Sequence, residues 1–486
     1  MNKKNIKIIS LVVLVVFAAI YLLIRLLGNS NSFNVEKIKG KWGGLLKTPS
    51  RNYLIYADIG LDSNNHAYVK LSSPRQRKFN VPTDSLVIDD NKISFNVNDF
   101  FAEYKGEFVE DSSKIRGVWH QKKIYSPLVF YRADELARID RPQCPFKPYP
   151  YNSDSVSFVN NVDSVKLAGT LTYPKNKGKH PAVILLSGIG PQDRDETMYR
   201  HKPFMVIADY LTKQGFAVLR YDDRGKGKSG GDYYSSTIQD FANDALSALK
   251  FLKSQPFIDS TKIGMIGFNE GGLVSSIVAS KENDLKFIVL LSTPGLNGKE
   301  ILLTQATEIP RKIGLPEKEV RQDSAFNHTI INIIKSTPDT ARAREKLIDA
   351  YKKFRANLNP KDLFRKKYAV KTFRNQMKFM LTNWFQNYIN YNPVKYIAQI
   401  KCPVLVLYGE NDVQVDPHKN LDVVLNALKS GGNKNVEGKV LPGFNHFFQS
   451  SSTGLPNEYG KIKETFSPDV LKTISDWINR YIQNNA

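Results

Sequence analysis

The sequence predicts an α/β protein: a doubly wound, mostly parallel sheet with a helical insertion, preceded by a small all-β domain and an N-terminal transmembrane helix. Three observations carry this expectation. Beyond residue 153, strand-length apolar runs (182–186, 217–221, 263–268, 287–291, 404–407, 435–441) alternate with helical runs (202–214, 238–254, 271–280, 419–429, 468–483). That alternation is the pattern of a parallel sheet covered on both faces. Between 33 and 132, short strand-type runs follow one another with polar turns and no helical run, which reads as a sandwich or a barrel. Residues 1–30 are dominated by one long apolar run.

That run covers residues 8–24, broken only by Ser10, behind Lys3, Lys4 and Lys7. It exceeds a usual signal-peptide core and approaches the length that spans a bilayer. Lysines ahead of it favour an inside N-terminus and leave the remaining residues extracytoplasmic, on the periplasmic side. We expect a membrane anchor; the alternative is secretion after cleavage near Gly28 and Ser30.

In the all-β domain, 33–132, strands are expected at 53–58, 66–71, 85–88, 92–97, 106–109 and 128–131. Ile38-Lys-Gly-Lys-Trp42 echoes Ile115-Arg-Gly-Val-Trp119, as though the first and last strands begin alike. Both Trp are read as core anchors. The stretch from Arg141 to Pro150 holds four prolines, so 133–152 reads as an extended linker. The α/β domain then occupies 153–486. It opens with a hairpin over 156–172, and its insertion, about 296–400, falls between two strands, where a cap over a site belongs.

Composition bounds the function. The 486 residues are 41% hydrophobic and 24% charged, a globular chain rather than a disordered one. The net charge is +22, and between 295 and 395 there are 20 Lys and Arg against 9 Asp and Glu. That excess reads either as a solvated helical face or as attraction to an anionic surface. No aromatic-basic signature accompanies it, so no nucleic-acid partner is expected. Cys144 and Cys402 are far apart in sequence; Cys402, at the start of an apolar strand, reads as a core thiol, and a disulfide between the two is the alternative rather than the expectation. No Cys/His cluster has metal-ligand spacing, and neither metal nor cofactor is expected.

The chemistry centres on Gly267-Phe-Asn-Glu-Gly-Gly272, which follows an apolar strand and opens a helix. A G-x-S-x-G turn has this layout, with a serine hydroxyl raised on a strained strand-to-helix turn. Here the central residue is Asn269, and its amide offers no proton whose removal makes an attacking oxygen. Asp412 follows one strand in Gly409-Glu-Asn-Asp412, and His446 follows the next in Pro442-Gly-Phe-Asn-His446. A neutral imidazole takes a nucleophile's proton while a carboxylate fixes its tautomer, so Asp412 is the candidate acid and His446 the candidate base. Glu410 is the fallback acid. In Leu186-Ser-Gly-Ile-Gly190 the N–H of Ile189 is placed to form an oxyanion hole with that of Glu270.

Leu185-Leu-Ser-Gly-Ile-Gly-Pro-Gln-Asp-Arg-Asp-Glu196, Tyr221-Asp-Asp-Arg-Gly-Lys-Gly-Lys-Ser229, the Gly409-Glu-Asn-Asp412 turn and Asn445-His446-Phe-Phe-Gln449 resemble those of bacterial α/β-hydrolase esterases. These are relatives of the prolyl-oligopeptidase and dienelactone-hydrolase groups, many with a small β domain ahead of the hydrolase domain. The resemblance covers 33–486 and implies carboxyl-ester hydrolysis by a serine nucleophile, with Asp412 as acid and His446 as base. Where the family's elbow reads Gly-His-Ser-Glu-Gly-Gly, this chain has Phe268 and Asn269.

Ser229 fits G-x-S-x-G literally, but no helix opens behind it, and it is read as a turn residue. Ser275 and Ser276 lie inside the following helix. Deamidation of Asn269 and water activated by Asp412 and His446 are the remaining routes to an attacking oxygen; water lacks the positioning of an attached nucleophile. Arg194, Asp195 and Arg224 are either site-lining or loop-fixing ion pairs. The expectation is thus an ester hydrolase by descent, impaired as a serine esterase. The alternative is a pseudoenzyme of the cell envelope that binds a small ester, acyl or peptide-like ligand or a partner.

Overall fold

A computed structural model describes residues 35–48, 52–73, 76, 78–89, 91–109, 113–133, 141–358 and 368–483. The expected transmembrane helix over 1–30 lies outside them, and among the described residues no helix is long and apolar enough to cross a membrane. The chain divides into two compact units, one ending at Asp140 and the other starting at Arg141.

The first unit opens with one helical turn, Val35–Ile38. Strands follow at Gly40–Lys47 (β1), Asn52–Leu61 (β2), Ala67–Ser73 (β3), Lys78–Pro82 (β4), Val87–Asp89 (β5), Lys92–Val97 (β6), Ala102–Val109 (β7), Lys114–Gln121 (β8) and Ile124–Arg132 (β9). Neither a two-sheet sandwich nor a closed ring results: all nine form one sheet in the order β4-β3-β2-β1-β9-β8-β7-β6-β5. Period-two alternation sends one face inward, as Ile93, Phe95 and Val97 do from β6. Residues from β1 to β9 join one core that includes Trp42 and Trp119. The two Gly-x-Trp steps lie in β1 and β8, the strands flanking β9, so the second marks the next-to-last strand rather than the last.

In the second unit the hairpin is Asn152–Asn160 (β10) and Val165–Tyr173 (β11). It leads to His180–Leu186 (β12), Pro203–Lys213 (α1), Ala217–Tyr221 (β13), Ile238–Lys253 (α2), Ile258–Phe268 (β14), Glu270–Ala279 (α3) and Phe287–Leu291 (β15). The insertion supplies Gly298–Lys312 (α4), Glu317–Ser336 (α5), Thr340–Ala356 (α6), Val370–Met380 (α7), Asn383–Asn390 (α8) and Val394–Ile397 (α9). The sheet resumes with Val404–Gly409 (β16), Pro417–Ser430 (α10), Val436–Leu441 (β17), Pro456–Tyr459 (α11) and Pro468–Gln483 (α12). Strand order is β10-β11-β13-β12-β14-β15-β16-β17, parallel from β12 to β17.

Successive residues of β12 enter opposite cores. Ala182, Ile184 and Leu186 face α2 and α3, whereas Val183 and Leu185 face α1 and α12. A strand buried on both faces is continuously apolar, which is why these runs were legible without alternation. The order reverses beside β12, and open α/β sheets build their sites at the carboxyl ends around such a point. The segment expected as a linker is docked from Arg141 onward. Gln143 Oε1 accepts from the backbone N–H of Thr465 and Phe466, Arg141 donates to the carbonyls of Tyr199 and Gly460, and Cys144 enters the α1–α12 core.

Candidate active site

Asn269 sits between β14 and α3 with φ 49° and ψ −110°. Asn is among the few non-glycine residues that adopt positive φ readily. The turn is tight because its glycines touch backbone. A Cβ on Gly271 would lie 2.0 Å from the Leu186 carbonyl oxygen, and one on Gly267 2.2 Å from that of Gly271. The Asn269 N–H donates to the Leu291 carbonyl at 2.8 Å, anchoring the turn to β15.

Asp412 and His446, each in the loop after its strand, meet Asn269 in a buried chain. His446 Nδ1 lies 2.7 Å from Asp412 Oδ2, and His446 Nε2 lies 3.0 Å from Asn269 Nδ2. Asp412 Oδ1 accepts from the N–H groups of Gln414 and Val415 at 2.8 and 2.9 Å. Asn445 Oδ1 accepts from Phe447 and Gln449, shaping the histidine loop. A carboxylate only accepts, so Nδ1 carries the proton and a neutral ring leaves Nε2 as acceptor. The Asn269 amide nitrogen therefore donates where a serine hydroxyl would. Its Oδ1 is buried with no partner among the described residues.

Beside this chain lies a cavity of about 210 Å³, lined by Ile189, Asn269 and His446 together with Phe268, Phe447 and Met198. The insertion closes it with Leu302 and Gln305 from α4, Phe379 from α7, and Trp384, Phe385 and Tyr388 from α8. Gln305 Nε2 donates to the Gln414 carbonyl at 2.7 Å, tying α4 to the loop that holds Asp412. The N–H groups of Ile189 and Glu270 have no acceptor among the described residues. Glu270 opens α3, where backbone donors and the helix dipole favour an anion.

A second buried network, which the sequence reading missed, braces the Ile189 loop. Glu270 accepts from the Tyr233 hydroxyl and from Trp384 Nε1, the latter at 2.7 Å, while Tyr233 Oη accepts from the Gly190 N–H at 2.8 Å. Glu196 Oε2 accepts from the Gly188 N–H at 3.0 Å, and Asp223 accepts from Ser187 Oγ and the Gln192 N–H. Burial pushes Glu270 up to about 7 and Asp223 up to about 8. Burial also takes Glu196 well above the usual carboxylate range, with Asp223 adding to the effect. The crowding of acids in Asp193-Arg-Asp-Glu196 and Asp222-Asp223 was the signal that could have found two of these groups.

The remaining candidates fix structure. Ser229 Oγ donates to the Asp222 carbonyl and accepts from the Ala168 N–H. Ser275 and Ser276 bond the Gly272 carbonyl. Arg194 pairs with Asp222, Asp195 with Arg220 and Lys202, and Arg224 with Asp163 and Asp244. Glu410 accepts from the Gly443 N–H and is exposed. Both cysteines are free.

The family comparison points the same way as the topology. Residues 200–449, just over half of the chain, match the family profile described as serine aminopeptidase, S33 (Hydrolase_4). Esterase EstD of Thermotoga maritima is 25% identical over 316 residues, 64% of this chain and 65% of that esterase. The mitochondrial palmitoyl-protein thioesterase ABHD10 of Homo sapiens is 26% identical over 194 residues, 40% of this chain and 56% of that protein. Among solved structures, the Pyrococcus furiosus esterase Pf2001 covers 68% of this chain over 91% of its own, with 20% identity and a TM-score of 0.42.

Proposed function

This chain belongs to the serine aminopeptidase S33 family of α/β-hydrolases, and from that membership we propose a carboxyl-ester hydrolase by descent that has lost serine-esterase turnover and keeps its pocket for ligand binding. One observation carries the reading: the side chain 3.0 Å from His446 Nε2 is a carboxamide. A serine there would pass its proton to Nε2 and attack an acyl carbon, and the Ile189 and Glu270 N–H groups would hold the oxyanion. The Asn269 nitrogen lone pair is delocalised into its carbonyl, so the neutral amide is a poor nucleophile, and imidazole is too weak a base to remove its proton. Losing the serine of a triad costs about a millionfold in kcat in a worked protease case.

An ester-type ligand is favoured over a peptide amino terminus by the cavity wall. Among the described residues that line it the one carboxyl group is Glu196, which burial shifts toward the uncharged form and so makes a poor counter-ion for an α-ammonium. The lysine-flanked apolar run at 8–24 supports anchoring to a membrane with the rest of the chain on the periplasmic side.

The test compares the full chain with its Asn269→Ser variant on p-nitrophenyl acetate and butyrate, with His446→Ala as the background. We expect turnover above background only in the serine variant. Turnover by the unaltered chain that vanishes in His446→Ala would overturn the inactivity and point to activated water or another nucleophile.

A further inference from the structure

We propose that the groove between α6 and α7 holds a free fatty acid of medium length, its alkyl chain in the groove and its carboxylate against Lys352, Arg355 and Arg374. The groove belongs to the insertion and shares no lining residue with the cavity at Asn269. Its volume is about 440 Å³, larger than the 210 Å³ of that cavity. Residues 348, 351, 352, 355 and 356 line it from α6, and 370, 373, 374 and 377 from α7. Each set has the i, i+3, i+4, i+7 spacing that gathers side chains on one helix face.

The inner part of the groove is apolar. Tyr351 and Phe373 are buried and stack with ring centroids 4.0 Å apart, and Ile348 and Met377 extend this surface. The Tyr351 hydroxyl donates to the Tyr368 carbonyl at 2.7 Å, which leaves its ring to meet a ligand. The charged groups are of one sign. Besides Lys352, Arg355 and Arg374, no charged side chain and no Ser, Thr, Asn or Gln is among the described residues that line the groove. None of the three cations is hydrogen-bonded or ion-paired to a described residue. Arg311, in the same insertion, pairs with Glu308 and Glu317. A solvated cationic face needs no apolar slot beneath it. A sugar or a peptide brings donors that this lining has no acceptor to meet. The chemistry that does match it is hydrocarbon ending in an anion. Between 348 and 356 helix α6 rises about 12 Å, the extended length of about ten carbons, so one slot takes one chain. Residues 359–367, which join the two helices, lie outside the described residues.

The test is photolabelling of the full chain, in phosphatidylcholine nanodiscs, with a diazirine-bearing decanoate, followed by mass spectrometry of the peptides. The expected result is label on α6 and α7 that is displaced by decanoate and not by decyltrimethylammonium, which has the same chain with the opposite charge. Lys352→Gln with Arg374→Gln, both at exposed positions, should weaken labelling about tenfold. Lys353→Gln with Lys371→Gln, on the same helices but off the groove, should leave it unchanged. Equal loss in the two pairs would reduce the effect to general surface charge, and equal displacement by the two amphiphiles to apolar adsorption; each overturns the site. Displacement by phosphatidylglycerol in the discs as strong as by decanoate overturns the fatty acid and makes the groove a membrane-facing surface. Label confined to peptides of the Asn269 cavity, or no label at all, overturns the groove as the binding place.

Discussion

Glu270 shows how one residue next to the elbow serves two structures. Its backbone opens α3 beside Asn269, and its side chain turns away from the cavity to accept from Tyr233 and Trp384. The pKa near 7 has burial as its largest cause and is opposed by both hydrogen bonds. A carboxyl raised in the fold gives a stabilisation that is complete below its unfolded value near 4.5 and is lost as pH rises through its folded value. Asp223, raised to about 8, acts in the same direction. Stability should therefore fall between pH 5 and pH 8. Glu270→Gln, which presents the same shape without a proton to lose, should flatten that decline when Tm is followed against pH. Parallel Tm profiles for the two proteins would show that Glu270 does not titrate in this window.

At the scale of elements, the β14–α3 turn is held by contact rather than by sequence preference. An Ala at Gly271 places its Cβ 2.0 Å from the Leu186 carbonyl oxygen, so β12 or α3 must move. Gly271→Ala should cost on the order of 3 kcal/mol or more in urea unfolding, as overpacking against rigid backbone does. Gly314, with φ +81° and no atom within 4 Å of an added Cβ, is the control, and its Ala variant should cost about 1 kcal/mol. Equal costs would mean that the elbow relaxes around a methyl group. This turn was legible in the sequence because Gly267, Gly271 and Gly272 crowd the end of an apolar strand, where backbone must pass close to backbone. Asp412 and His446 were legible because each follows a strand. Tyr233, Trp384 and Glu196 were not, since they reach the site from a loop, the insertion and another loop with no shared period. The nine-strand pairing order of the first unit was also hidden, because alternation reports which face is buried and not which strand lies alongside. The docking of Arg141, Gln143 and Cys144 was masked by prolines that suggested an extended linker.

For the whole molecule, the decisive fact is that each unit has a core of its own. The first unit's cluster draws on residues from Ile38 to Phe130, and the clusters of the second start at Cys144 and Phe158. A unit with its own core is able to fold alone. Because Arg141, Gln143 and Cys144 pack onto the second unit, its physical start is Arg141 and not the hairpin. A chain beginning at Arg141 should unfold in one cooperative transition, and its Asn269→Ser variant should hydrolyse p-nitrophenyl butyrate as the full-length variant does. The two proteins should differ in partitioning. With the lysine-flanked run at 8–24, the full chain should stay in the membrane pellet through an alkaline carbonate wash, and the shorter chain should stay in the supernatant. Aggregation of the shorter chain without a transition would mean that residues before Arg141 complete its fold. A full chain released by the wash would remove the anchor while leaving the cavity chemistry untouched, because the groups that build the site all lie beyond Arg141.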